Sequence, residues 1–167
     1  MTGFLVPRAV FFTRGVGRHR ERLTSFEMAL RAAGIHCHNL VTVSSILPPN
    51  CRIVPRSEGL SRLHPGGVVF TVMSRAAANE AHRRISASIG VAIPEHMDRE
   101  WGYFAEHHSY GQSREAAGEY AEQLASDMYR SISENVPHRT LNVTETAVVD
   151  EEGQWTTVIA AAVFLME

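Results

Sequence analysis

Residues 158–165, VIAAAVFL, set the strongest limit on what this chain can fold into. They are apolar at odd and even positions alike. Successive side chains of a strand point to opposite faces, so both faces of this strand must be covered. Trp155 to Phe164 is therefore expected at the centre of a sheet. Leu141 to Val149 reads as the strand before it. Glu151 to Gly153 supply a turn, so the two are expected to form a terminal hairpin.

Further strands are expected upstream. Phe4 to Thr13 is apolar, and Gly15 and Gly17 are expected to end it, leaving Arg18 to Arg22 as a solvated basic loop. Asn39 to Ser44, Gly67 to Ser74 and Gly102 to Tyr110 also read as strands. Ile85 to Ile93 alternates with a period of two, which predicts one apolar face. Pro48 and Pro49 stop the strand before them, because neither can donate to a ladder. Residues 50–66, with Pro55, Gly59, Pro65 and Gly66, read as irregular surface.

Two helices stand out. Phe26, Ala29, Leu30 and Ala33 follow helical spacing from Thr24 on, and Gly34 suits the position after the last turn. Ser113 to Ser133 forms the second. Ser113 suits its N-cap and Glu115 its first turn; Ala117, Tyr120, Ala121, Leu124, Met128 and Ile132 form its expected buried stripe. Six or seven strands and two helices, with helices following runs of strands, predict an α+β layered sheet rather than a doubly wound fold. A length of 167 residues suits a single domain.

Several function classes recede on composition. A net charge of -2 gives no argument for a nucleic-acid partner. No apolar run reaches the length of a membrane span, so no membrane partner is expected. The start, MTGFLVPRAVFFTRGVGRHR, lacks a basic leading region and does not read as a signal peptide. Cys37 and Cys51 show no C-x-x-C spacing and read as reduced thiols of a cytoplasmic protein. All 16 basic residues are arginine. Pyridoxal phosphate is carried on a lysine, so an amine-handling enzyme with this sequence must take its carbonyl from elsewhere.

That absence bears on N-L-V-T-V-S-S-I-L-P-P at residues 39–49. By itself Ser44-Ser45 reads most simply as a polar strand exit. A serine hydroxyl can also attack the peptide bond before it. If the turn strains that bond, the Ser45 oxygen adds to the Ser44 carbonyl and an ester replaces the amide. Elimination then leaves Ser44 as a new C-terminus. Residue 45, after loss of ammonia, becomes a pyruvoyl group, which is a ketone built from the chain itself.

Together with FEMALRAAGIHCHNLVTVSSILPP, the segments SRAAANE, ISASIGVAIP and AEHHSYG resemble the pyruvoyl-dependent arginine decarboxylases, from about Val10 to Phe164. The resemblance implies an αββα sandwich, one domain cleaved into chains 1–44 and 45–167. It implies a homo-oligomer, a trimer of cleaved protomers with active sites between neighbours. Ser44 and Ser45 match the scissile pair, Asn39 the asparagine of the processing turn and active site, and Glu106 the family's acid. The implied reaction converts L-arginine to agmatine and CO2 through a Schiff base on the pyruvoyl group from Ser45, with no pyridoxal phosphate and no metal. Glu106 would reprotonate the carbanion, and a carboxyl group does this near neutral pH only when burial favours its protonated form. The alternatives are a decarboxylase of another basic amino acid and an uncleaved trimeric scaffold.

Glu27 has two readings. Thr24-x-x-Glu27 fits a capping box. The family instead has an aspartate there, which pairs with the substrate guanidinium, and a glutamate keeps the charge but adds a methylene. Leu30, one turn on, lines the pocket or fills the core. His107 and His108 should point to opposite faces of their strand. His36 and His38 flank Cys37, but no metal cluster is expected. A serine hydrolase built on Ser45 would lack the G-x-S-x-G elbow.

Overall fold

The structure is a computed structural model that describes residues 4–166. Methionine 1, two residues of the apolar start, and the last residue of the expected 45–167 chain lie outside the described residues. The element order is β1 (Ala9–His19), α1 (Arg22–Ala33), β2 (Asn39–Thr42), β3 (Ile46–Leu47), β4 (Arg52–Ile53), α2 (Arg56–Ser61), β5 (Val68–Ala78), β6 (Arg84–Ile93), β7 (Gly102–Tyr110), α3 (Arg114–Ile132), β8 (Arg139–Val148) and β9 (Trp155–Leu165). Five strands form one sheet in the order β2-β5-β9-β1-β4, and four form a second in the order β3-β7-β6-β8. Helix α1 packs on β1 and β9 of the first sheet, and α3 on β6, β7 and β8 of the second. The chain is thus an α+β protein layered helix–sheet–sheet–helix, as expected.

Strand β9 lies between β5 and β1, antiparallel to both, and is buried along nearly its whole length. One of its faces meets the opposite sheet, through Val158, Ala160, Ala162 and Phe164. The other meets α1, through Ile159, Ala161 and Val163. Between the sheets, the Phe104 ring stands edge-on to Phe12 at 6.3 Å and to Phe164 at 5.8 Å. Burying one such side chain stabilises the fold by about 1.5–3 kcal/mol.

Four local expectations change. Strand β1 does not end at Gly15 and Gly17 but runs on to His19. The glycines are there for clearance: a Cβ on Gly15 would stand 2.2 Å from the Ala29 carbonyl oxygen, and one on Gly17 would stand 2.0 Å from that of Ser25. Helix α1 therefore rides directly on the strand. Second, β8 and β9 do not form a hairpin, because β8 pairs with β6 in one sheet and β9 with β1 and β5 in the other. The 149–154 turn crosses between layers, since β9 needs a strand on each side while the half-exposed β8 suits a sheet edge.

Third, β6 is buried on both faces: Ile85, Ala87, Ile89 and Val91 face the other sheet, and the small alternating residues lie under α3. The stripe of α3 is accordingly one of small residues, Ala117, Gly118, Ala121 and Ala125 with Tyr129, whereas Tyr120 and Ile132 are exposed. Fourth, residues 50–66 contain β4 and α2, and Arg56 from α2 donates to the Ala33 carbonyl at the end of α1. Two helix ends match the expectation, the start of α3 and the end of α1, whereas α1 begins at Arg22 rather than at Thr24. The Ser113 hydroxyl accepts from the Ala116 N–H, and Gly34 takes the left-handed conformation at φ 81°.

Candidate active site

Strand β2 is the edge of one sheet and β3 the edge of the other, so residues 43–45 carry the chain from layer to layer. The crossing is pinned at both ends. The Val43 N–H donates to the Thr71 carbonyl at 2.9 Å, and the Ser45 carbonyl accepts from the Phe104 N–H at 2.8 Å. The Ser44–Ser45 peptide therefore bridges two anchors that belong to different sheets. Ser44 is exposed and borders an apolar hollow of about 330 Å³ lined in part by Leu5, Val43, Ile46 and Phe70.

The Ser45 hydroxyl donates to Glu106 Oε2 at 3.1 Å. Glu106 sits on β7 opposite Ile89, and strand alternation puts it on the same face as Phe104, toward the other sheet. It is exposed rather than buried, so the single chain does not provide the burial expected of a proton donor. Two contacts hold this part of β7 against β5: the Ser74 hydroxyl donates to the His107 carbonyl at 2.6 Å, and the Tyr110 hydroxyl to the Ala77 carbonyl at 3.3 Å. His107 points the other way, 2.7 Å from Gln112 and edge-on to Tyr120 of α3, while His108 is exposed. The two histidines do face opposite sides, and His107 is engaged in packing.

A second cleft, of about 580 Å³, opens on the α1 face of the five-stranded sheet. Phe26, Leu30, Asn39, Met73 and Arg75 are among its lining residues. Asn39 donates its side-chain amide to the Gly66 carbonyl at 2.9 Å. Leu30 fills the core and lines the cleft at once, being 8% exposed. The Arg75 guanidinium lies 4.3 Å over the Phe26 ring. Glu27 is not part of a capping box. Helix α1 begins at Arg22 behind Glu21, which makes no side-chain cap, so Thr24 already lies inside the first turn. Glu27 instead receives a hydrogen bond from Arg31 Nε at 3.0 Å.

One chain thus brings together two of the residues singled out from the sequence, Ser45 and Glu106. It leaves Asn39, Glu27 and Leu30 apart from them. Three strand steps, about 10 Å, separate Asn39 from Thr42 before the crossing starts. Ser74 and Arg75 carry no signal of this role in the sequence, although both lie in SRAAANE. Their neighbours come from distant strands and helices, and no local pattern marks them.

Another cleft, of about 690 Å³, lies between β1 and β8 on the opposite edge. Its charges are already engaged: Arg114 holds Glu145 at 2.6 Å and Thr144 at 2.6 Å, and Arg56 is bonded to Thr13 at 3.0 Å. Cys37 is exposed and Cys51 buried, both unpaired, and burial pushes the Cys51 thiol up to about 11 against a smaller opposing pull from Arg52. Among the described residues no group of three or more His, Cys, Asp or Glu side chains could hold a metal ion. Nor, among them, is any helix long and apolar enough to cross a membrane.

A family model described as "Pyruvoyl-dependent arginine decarboxylase" matches residues 9–167. A protein of that name from Methanocella arvoryzae is 61% identical over 162 residues, covering 97% of this chain and 98% of the relative. "Pyruvoyl-dependent arginine decarboxylase 1" from Methanosarcina acetivorans is 50% identical with the same coverage, 97% and 98%. The relative from Thermoplasma volcanium is 46% identical over 184 residues and the whole of both chains. None of the three is named for another basic amino acid or for a scaffold. A lysine-free sandwich with a serine pair strung between its sheets, matched along almost all of its length, belongs to the pyruvoyl-dependent arginine decarboxylase family.

Proposed function

We propose that this chain cleaves itself between Ser44 and Ser45, and that the cleaved protein converts L-arginine to agmatine and CO2. The observation that carries the reading is the Ser45 hydroxyl held 3.1 Å from Glu106, on a crossing pinned to a different sheet at each end. The residues fit a pyruvoyl group at position 45. Ser45 supplies its carbons, the Phe104 N–H holds its carbonyl side, and no lysine in the chain offers another carrier for a carbonyl cofactor.

The cleavage balances as follows. Ser45 Oγ bonds to the Ser44 carbonyl carbon as the peptide C–N bond breaks, which frees the residue 45 nitrogen. Loss of the Cα proton then breaks the Cβ–Oγ bond, and Ser44 leaves as a carboxylate. Water replaces the nitrogen, which departs as ammonia. Glu106, as hydrogen-bond acceptor, orients the attacking oxygen. The anchors at Val43 and Ser45 restrict the motion of the peptide between them.

The pyruvoyl group supplies a carbonyl that takes the substrate amine and draws off the electrons left behind by CO2. Glu106 delivers the proton that replaces CO2 on carbon, worth roughly 10²–10⁴-fold in rate. Glu27 receives the substrate guanidinium, while Asn39 and Leu30 shape the cleft beside it. These three residues lie away from Ser45 in one chain, so a neighbouring copy completes the site, in a trimer of cleaved protomers. Leu5, Val41 and Ile46, 77%, 40% and 40% exposed around the crossing, favour such docking and the burial of Glu106 within it. Unpaired Cys37 and Cys51 suit a cytoplasmic setting.

Intact mass under denaturing conditions, combined with an assay for agmatine, tests the reading. Two fragments, the longer one trapped by borohydride, are expected, together with agmatine from arginine. A single full-length species with an unmodified Ser45 would end it. Light scattering of the cleaved protein tests the trimer, and a monomer that turns over arginine would remove the shared site.

A further inference from the structure

We propose that Arg31 competes with the substrate for Glu27 and so sets the apparent affinity for arginine. The proposal rests on the reading that Glu27 receives the substrate guanidinium, and it adds a residue that tunes that contact. Glu27 and Arg31 lie one turn apart on α1, where side chains meet. Arg31 Nε donates to Glu27 Oε1 at 3.0 Å. A guanidinium of the protein therefore already occupies the carboxylate that the substrate's guanidinium needs. Phe26 and Leu30, which flank Glu27 on α1, line the cleft.

The chemistry of the pair suits a competitor more than a brace. The Arg31 side chain is 54% exposed and that of Glu27 37%, so water and salt screen the contact. Exposed pairs of this spacing contribute little to helix stability. Among the described residues Glu27 has no other ion pair. The contact uses one N–H on one oxygen, whereas a guanidinium arriving end-on can engage both oxygens in parallel. The incoming ligand thus outmatches the resident group but must first displace it. A site competent for only part of the time binds more weakly by that fraction. For a pair of this modest strength the expected penalty is about two- to fivefold in KM.

Steady-state kinetics on the cleaved protein decide the matter, with cleavage checked on a gel and folding by thermal midpoint. Arg31→Ala is expected to lower KM for arginine about two- to fivefold, with kcat/KM rising in step. Arg31→Lys, which keeps a cation within reach of Glu27, should recover most of the wild-type KM. Glu27→Ala should raise KM, and adding Arg31→Ala to it should change nothing further. If Glu27→Ala raises KM while Arg31→Ala leaves it unchanged or raises it, Arg31 is no competitor, although the role of Glu27 stands. An equal fall in KM with and without Glu27 also overturns the proposal, because the effect would not pass through that carboxylate. If Glu27→Ala leaves KM unaltered, it is the underlying reading of Glu27 that fails.

Discussion

Ser45 Oγ lies 3.1 Å from Glu106 Oε2, although 61 residues separate the two in sequence. The contact joins the layer crossing to β7. It places a hydroxyl and a carboxylate together, as the proposed self-cleavage followed by proton delivery would need.

Ser45→Ala removes the proposed attacking oxygen and leaves both backbone anchors in place. The variant should remain a single chain and form no agmatine. Mass spectrometry of denatured protein reads this directly, and two fragments from the variant would exclude Ser45 as the nucleophile.

Glu106→Gln keeps a hydrogen-bond acceptor for Ser45 but loses the transferable proton. The variant should still cleave, while kcat falls roughly 10²–10⁴-fold. Near-normal turnover in a fully cleaved sample would take Glu106 out of the chemistry.

Phe104→Ala should lower stability by about 3–5 kcal/mol, because the ring is fully buried between Phe12 and Phe164 and its removal leaves a cavity. Denaturant unfolding of matched cleaved samples measures the loss. A change below about 1 kcal/mol would mean that the sheets repack around the gap.

The two thiols should react at very different rates. At pH 8 exposed Cys37 should modify quickly, and buried Cys51 only after unfolding, since its folded-state value is pushed up to about 11. The sign of the linkage follows from that rise. The protonated thiol is favoured in the folded state, so its contribution to stability is fully present below pH 9.0 and is lost as pH rises through about 11. A thiol count against denaturant, and unfolding curves from pH 8 upward with a Cys51→Ala control, check both parts. Two equally fast thiols at pH 8 would contradict the burial of Cys51.

Local rules carried the reading of the chain a long way, for reasons particular residues make plain. The two-faced apolar run of β9 requires cover on both sides, and only a central strand of a layered protein has it. Ser113 and Gly34 mark helix ends because their chemistry acts on adjacent backbone groups. The serine pair before two prolines is legible because the chemistry proposed for it lies within one peptide bond. Glu106 was singled out by resemblance alone, and nothing in A-E-H-H shows that it reaches Ser45.

The amino-acid order thus determined the class of layers, the C-terminal end of α1, the start of α3 and the position of the serine pair, all properties of residues close in the chain. Tertiary structure decided the rest. It split β8 and β9 between two sheets, ran β1 through Gly15 and Gly17, turned the stripe of α3 toward its alanines, and set Asn39, Glu27 and Leu30 apart from Ser45. Those outcomes depend on which distant edges pair and how closely a helix can approach a strand. Such energies belong to contacts between segments, and no window of sequence contains them.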